Sequence, residues 1–314
     1  MFESTKQNII QIITELKSLI PKLKLITDSL KSKRSTLIEK EMDERGADYW
    51  RNQALSDSVM RVQIFIENNL SYIETLGVLA LCRYTLELVV WLKHIEMDQR
   101  FALVYGRMLI KQQAEFYDDL ANHLRREIDL YDSLAAEEAA AHASVLSAAT
   151  VGRGSANPAE VGRKIVEDMQ NASNYVDSKL ALQFAIYSND IKRNGYKFQA
   201  HIVTSQALPQ ALENAEKNRE SLKKFNSLWS ATIDELNLKG WKWNVRAAHV
   251  GMVDEYDFVY SYTSRLLHAT PASLTTNQKN LEDAEALMFL RYINMQFRWI
   301  TRHAEASIAQ HTIH

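Results

Sequence analysis

The sequence predicts an all-α protein, a helical bundle body carrying a long antiparallel helical hairpin, and three observations support this. The 314 residues include only nine Gly and four Pro, so residues that form turns are scarce. Apolar residues make up 46% of the chain, and over most of it they recur at steps of three and four, the period of an amphipathic helix. No proline interrupts the segment from Gln99 to Ala149, which favours one very long helix with coiled-coil character.

The first helices follow from this periodicity. One helix is predicted from Thr5 to about Leu37, with a kink at Pro21, and a second from about Asp48 to Ile66. A third, from about Tyr72 to Met97, follows a capping-box signature.

The stretch Leu76–Leu92 within the third helix is almost wholly apolar and has to be tested as a membrane span. It is shorter than the roughly 20 apolar residues that a span needs, and it contains Arg83 and Glu87. We therefore expect this helix to be buried in protein, and we expect no membrane partner.

The hairpin consists of the long helix Gln99–Ala149, a tip near residues 150–158 that is rich in turn residues, and a return arm. The helical pattern of the return arm starts at Ala159 and continues to Tyr187. Arg193–Gly195 and Leu208–Pro209 then interrupt it.

Three further helices complete the chain, and they lead to a prediction of two domains. The helices are predicted at about Pro209–Leu236, Asp254–His268 and Thr276–Gln310, with a short helix after Trp241. Residues 1–97 and 221–314 then form the bundle body, and residues 98–220 form the hairpin arm.

The charge and the cysteine count limit the function classes. The formal net charge is −2, so any site for a polyanion has to be a local patch. A single cysteine, Cys82, excludes a disulfide framework and a thiolate zinc cluster. Because no ligand set for a di-iron or zinc site and no phosphate-binding loop occurs either, we expect no metal and no cofactor. The N-terminal residues lack the apolar core of a signal peptide, and the expected location is the reducing cytoplasm.

Arg83 and Glu87 form the first candidate constellation. They are four residues apart, so they share one face of an otherwise apolar helix. Burying either charge alone would be very unfavourable. The pair is either an internal ion pair that fixes the packing of the bundle, or it lines a polar pocket in which Arg83 binds an anion and Glu87 orients a neighbour.

A second constellation lies on the helix Asp254–His268, where Tyr256, Tyr260, Ser264 and His268 follow one another at intervals of four. All four lie along one stripe, and the helix C-terminus favours the protonated form of His268. This stripe is either an interhelical hydrogen-bond ladder or a group capable of acid-base catalysis.

Together the two motifs resemble those of a bacterial all-helical family of unknown function, with RxxxE in an apolar helix followed much later by a Trp, a Gly and YxxxSxxxH. Here these are Arg83 to Glu87, Trp241, Gly251 and Tyr260 to His268. The resemblance covers about residues 72–120 and 228–274.

That family is distantly similar to HEPN proteins, helical bundles that often act as metal-independent ribonucleases in toxin-antitoxin and phage-defence systems. The resemblance implies that Arg83, Glu87, Tyr260, Ser264 and His268 are catalytic residues. The HEPN signature of an Arg followed after four to six residues by a His has one textual match, Arg298 and His303, which we expect by chance and rank as weaker candidates.

An aromatic and basic cluster follows the helix predicted at about Pro209–Leu236. Trp241, Trp243, Arg246 and His249, with Arg265 on the next helix, are candidates for binding RNA or another ligand, because stacking beside cations holds single-stranded RNA. The alternative is that the Trp side chains fill the core under a loop.

These features lead to three hypotheses. The first is a HEPN-like effector of bacterial defence or of toxin type that binds or cleaves RNA, a metal-independent endoribonuclease in its catalytic form. The second is a non-catalytic protein whose hairpin mediates dimerisation or docks a protein partner. The third is a sensor that binds a small ligand in the same pocket.

Overall fold

A computed structural model of the chain describes residues 2–35, 45–70, 75–151, 157–236, 241–267 and 281–309. These residues are almost entirely helical, and no β-strand occurs among them, so the predicted all-α class is confirmed. Within the same residues no helix is both long and apolar enough to cross a membrane.

Twelve α-helices follow one another along the described segments. In chain order, α1 to α12 are Phe2–Ser18, Ile20–Ser35, Ala47–Asn69, Thr75–Met97, Phe101–Val151, Pro158–Leu180, Ile191–Asn194, Tyr196–Ile202, Leu208–Asp234, Trp243–His249, Val253–Leu267 and Asp283–Ala309. A 3₁₀ turn, Ser188–Asp190, precedes α7, and a π-helical segment, Val203–Ala207, joins α8 to α9.

The chain divides into two compact units. Met1–Leu109 and Ser221–His314 form the first unit, and Ile110–Glu220 forms the second. Helices α5 and α9 each have residues in both units.

Helix α4 has several neighbours in the first unit. It packs against α3, α10, α11 and α12. Its apolar residues, which the sequence predicts to be buried in protein, include Leu79, Leu86 and Val89, each at most 1% exposed. Arg83 of α4 contacts Ser264 of α11 across one of these helix pairs.

The first predicted helix is interrupted at Leu19, two residues before Pro21, where the sequence predicts a kink. Helix α1 ends at Ser18 and α2 begins at Ile20, so Pro21 lies in the first turn of α2. A proline is tolerated there because the first amides of a helix have no partner within it.

In the second unit, α6 pairs with the later part of α5. The Nε2 of His142 lies 2.9 Å from Oγ of Ser173, whose hydroxyl donates to Glu138 at 2.8 Å, and Lys179 forms an ion pair with Glu137. Residues further along α5 contact residues earlier in α6, so the two helices run antiparallel. The residues 152–156 of the predicted tip lie outside the described residues.

Helix α6 ends at Leu180, although the apolar pattern predicts helix to Tyr187. The carboxylate of Glu127 accepts hydrogen bonds from the backbone N–H of Ile186, at 2.9 Å, and of Tyr187, at 2.7 Å. A buried carboxylate therefore holds these two amides in place of a helical ladder.

The interruption predicted at Leu208–Pro209 takes the form of the π-helical segment Val203–Ala207. A π turn changes the hydrogen-bond register, and such turns are frequent sites of helix distortion. Helix α9 then begins at Leu208, with the proline as its second residue.

Candidate functional site

Arg83 and Glu87 lie one turn apart on α4, and their side chains contact each other. The Nε of Arg83 donates a hydrogen bond to Oε1 of Glu87 at 3.3 Å. The side chains are 26% and 27% exposed, respectively. The pair is thus neither sealed from water nor fully solvated.

Helix α11 supplies the other two described members of the predicted pocket. The Nη1 of Arg83 donates to Oγ of Ser264 at 3.4 Å, and the guanidinium carbon lies 4.4 Å from the centre of the Tyr260 ring. The rings of Tyr256 and Tyr260 stack with their centres 4.8 Å apart. The intervals of four residues on both helices place these side chains on the facing stripes.

Two nitrogens of the Arg83 guanidinium are engaged within the described part of the chain. Its Nε and Nη1 are engaged as described, and among the described residues no partner accepts from its Nη2. Burial raises the pKa of Glu87, and the hydrogen bond and charge of Arg83 oppose this increase. The arrangement can therefore bind an anion at Arg83 and can respond to a change in the charge of Glu87.

The fifth predicted catalytic residue, His268, lies outside the described residues. Arg265 belongs to α11, but its side chain is outside the described part of the structure as well. Their predicted roles remain predictions, as does the role of the pocket in catalysis.

The aromatic and basic cluster forms around the beginning of α10. The indole rings of Trp91 and Trp241 stack at 3.6 Å, and Trp243 meets Trp241 edge-on at 5.6 Å. The guanidinium carbon of Arg246 lies 5.5 Å from the centre of the Trp241 ring, and burial lowers the pKa of Arg246. One face of Trp241 is thus covered by protein, as the core interpretation expects.

His94 is a member of this cluster that the sequence analysis did not identify. Its side chain is fully buried, its Nε2 lies 3.1 Å from the backbone oxygen of Arg246, and its Nδ1 lies 3.4 Å from Nδ1 of His249. The sequence contained one signal: His94 comes seven residues after Glu87 and eleven after Arg83, so all three share a face of α4.

Arg298 and His303, the weaker candidates on α12, contact different partners. Arg298 donates to Glu15 on α1 at 3.1 Å. The ring of His303 stacks on Trp299 at 5.1 Å, and its Nδ1 lies 3.4 Å from Glu96. The structure does not place their side chains at a common site.

Other reactive groups are few. Among the described residues, no three His, Cys, Asp or Glu side chains are grouped closely enough to hold a metal ion. Burial raises the pKa of Cys82 to about 12, which keeps its sulfur a thiol rather than a nucleophilic thiolate near neutral pH.

Comparisons with known proteins give no relative on which a function could be based. No family model matches the chain, and no curated protein and no solved structure matches it. The functional interpretation therefore depends on the residues themselves.

Proposed function

We propose that this chain is a HEPN-like helical effector, of bacterial defence or toxin type, that binds RNA at the pocket of Arg83 and cleaves it without a metal ion. The observation that carries the proposal is the convergence of Arg83 and Glu87 of α4 with Tyr260 and Ser264 of α11 at a partly exposed position. The proposal includes a cytoplasmic location, where such an effector meets RNA.

In this proposal each residue has a distinct task. The Nη2 of Arg83 contacts a phosphate oxygen, while Glu87 and Ser264 hold the guanidinium in one orientation. His268, one helical turn after Ser264 in the sequence, removes the proton of the ribose 2′-hydroxyl, whose oxygen then attacks the adjacent phosphorus. The bond from phosphorus to the 5′ oxygen of the next nucleotide breaks, which leaves a 2′,3′-cyclic phosphate, and the departing 5′ oxygen takes up a proton from water while His268 returns its proton to water. A 2′-hydroxyl is present in RNA and absent from DNA, which defines the substrate class.

The remaining candidates are assigned to contacts with the bound strand. Trp243 is partly exposed and His249 is exposed, so both can contact bases. Trp241 and Arg246 are packed against other side chains and act by positioning Trp243 and His249. Arg265 is proposed as a phosphate contact, and Arg298 and His303 are left without a role.

The test measures binding and cleavage of a labelled single-stranded RNA. The double variant Arg83→Gln with Glu87→Gln replaces the ion pair by two amides, so no charge is left without its partner. We expect it to weaken RNA binding about tenfold or more, because it removes a charged contact to phosphate. Arg302→Gln, which removes an exposed arginine of α12, serves as the matched control.

A second variant separates catalysis from binding. His268→Ala is expected to abolish cleavage while RNA binding and the melting temperature stay close to wild type. Unchanged RNA affinity in the double variant, or undiminished cleavage in His268→Ala, would contradict the proposal.

A second candidate function, self-association through the arm, is favoured by an apolar surface on the second unit. Leu182, Phe184 and Ile186 are 82%, 94% and 54% exposed, and they lie in the segment whose amides Glu127 holds. A cleft of about 700 Å³ lies beside Phe184. Exposed apolar groups clustered in this way are typical of protein interaction sites.

Light scattering at several protein concentrations tests this candidate. We expect the wild-type mass to be at least twice the 36.1 kDa of one chain. The double variant Leu182→Ser with Phe184→Ser should have the mass of one chain, and Val166→Ser, which changes another exposed apolar residue of this unit, should behave like wild type. A wild-type protein of single-chain mass would exclude self-association.

A further inference from the structure

The two imidazoles of His94 and His249 form a hydrogen-bonded pair with a defined order. Their Nδ1 atoms are 3.4 Å apart, and the rings are nearly parallel, with an angle of 9° between their planes. His94 is fully buried, whereas the side chain of His249 is exposed. One ring is thus part of the core and the other reaches the surface.

The backbone oxygen of Arg246 determines which ring nitrogens of this pair carry a hydrogen. The Nε2 of His94 faces the carbonyl oxygen of Arg246, and a carbonyl can only accept, so this nitrogen carries a hydrogen. In a neutral His94 the Nδ1 is then an acceptor, and the hydrogen between the rings belongs to Nδ1 of His249. The Nε2 of a neutral His249 is left with its lone pair.

The surroundings of His94 favour its neutral form. Burial is the main cause that lowers the pKa of His94 to about 4. The neighbouring His249 and the charge of Arg246 act in the same direction, and the hydrogen bond to the backbone oxygen of Arg246 opposes them. The rings of Phe101 and Trp241, whose centres lie 4.4 Å and 5.7 Å from that of His94, add no negative charge. At neutral pH His94 is therefore the uncharged partner.

We propose that His249 is a hydrogen-bond-accepting site for a ligand that carries a hydroxyl group, in which the buried His94 acts as a positioning residue and fixes the tautomer of His249 so that its Nε2 accepts a hydrogen bond from that hydroxyl. The backbone carbonyl binds the buried imidazole, which in turn binds the exposed imidazole. In such an arrangement, a hydrogen bond at one ring nitrogen determines whether the second nitrogen of the same ring donates or accepts. The site is distinct from the Arg83 pocket, because eleven residues along α4 correspond to about 16 Å.

The tautomers can be measured directly by ¹⁵N NMR of the imidazole nitrogens in the full chain near neutral pH. We expect the hydrogen on Nε2 in His94 and on Nδ1 in His249, with the neutral form of His249 lacking a hydrogen on Nε2. A His249 whose hydrogen resides on Nε2 would overturn the proposal, because no lone pair would then face a ligand.

Two variants separate positioning from packing. His94→Asn places an amide oxygen near the position of Nδ1, where it can still accept from His249, whereas His94→Phe keeps a ring and removes the acceptor. In the Phe variant we expect the ratio of the two neutral tautomers of His249 to shift by about tenfold towards Nε2–H, the effect of one hydrogen bond, and in the Asn variant to change much less.

Carbethoxylation of the same proteins gives a second readout that a purely structural role of His94 would not change. Diethyl pyrocarbonate should modify wild-type His249 at Nε2 and leave His94 unmodified. In His94→Phe we expect the modification of His249 to be distributed over both nitrogens. Identical tautomer ratios and identical modification patterns in the two variants would show that His94 only fills space.

Discussion

Arg83 shows how a charged residue can be placed on an apolar helix. A carboxylate, a hydroxyl and an aromatic face, those of Glu87, Ser264 and Tyr260, surround its guanidinium. The side chains of Arg83 and Glu87 are each about a quarter exposed, so each of these contacts contributes about 1 kcal/mol or less to stability. Their combined effect is to fix an orientation, and a fixed guanidinium loses less conformational entropy when it binds an anion.

The sequence contained enough information to bring these four side chains together, because they repeat at intervals of four. Arg83 and Glu87 on one helix, and Tyr260 and Ser264 on another, fall on single faces by helical geometry alone. His94 could not be found in the same way, since its partner is the backbone oxygen of Arg246. A carbonyl group is present at every residue, so no residue type indicates that one of them will meet a histidine.

His94 should make the stability of the protein depend on pH. Its pKa is lowered from 6.5 to about 4 in the folded state. Between these two values the unfolded chain binds more protons at this position, so stability falls as the pH falls from 6.5 towards 4. At pH 5 the loss is of the order of 1–2 kcal/mol.

Thermal unfolding at pH 7 and pH 5 measures this effect. We expect the difference in melting temperature between the two pH values to be smaller in His94→Asn than in wild type. His201→Asn, which changes an exposed histidine of the second unit, should retain the wild-type difference. An unchanged difference in His94→Asn would show that this imidazole is protonated alike in the folded and unfolded states.

At the scale of elements, the only glycine of the long helix α5 lies against the ring of Trp50. A Cβ built on Gly106 would lie 2.5 Å from Cδ2 of Trp50, which is 1% exposed. The indole also packs edge-on against Phe225, with ring centres 6.1 Å apart, so a shift of the ring disturbs this contact. The sequence predicts the helix here but cannot show which distant ring requires the missing side chain.

Gly106→Ala should therefore destabilise the protein, although alanine is the better helix former. We expect a loss of about 1–3 kcal/mol from overpacking, measured by denaturant unfolding. Gly77→Ala on α4 is the matched control, because nothing lies within 4 Å of its added Cβ. That variant should be neutral or slightly stabilising. Equal stability of the two variants would mean that Trp50 moves aside at little cost.

The end of α6 shows where periodicity fails as a guide. Phe184 and Tyr187 continue the apolar pattern of the helix, yet the helix ends at Leu180 and Phe184 is 94% exposed. The hydrogen bonds from the backbone amides of Ile186 and Tyr187 to Glu127 outweigh the local preference for helix. Glu127 is about sixty residues away in the sequence, so a local apolar pattern cannot indicate these hydrogen bonds. Class and helix positions could thus be predicted, whereas this helix end could not.

For the whole molecule, the division into two units raises the question of whether they unfold together. The second unit contains Glu127, whose side chain is fully buried and accepts from the hydroxyl of Tyr131 and from two backbone amides. Removing it leaves three donors without this acceptor. The hydroxyl of the fully buried Tyr131 then costs about 1–3 kcal/mol, whereas the amides of the more exposed Ile186 and Tyr187 can bind water instead. Burial also raises the pKa of Tyr131, so its hydroxyl stays protonated and remains a donor.

Glu127→Ala should consequently loosen the second unit more than the first, and hydrogen exchange followed by mass spectrometry resolves the two. We expect faster exchange in peptides from residues 110–220, with smaller changes in residues 1–109 and 221–314. Glu137→Ala, on the same helix, removes only the partly exposed ion pair with Lys179 and should resemble wild type. Equally faster exchange throughout the Glu127→Ala chain would show that the two units unfold as one, because a loss of local stability would then be transmitted through α5 and α9 to every helix.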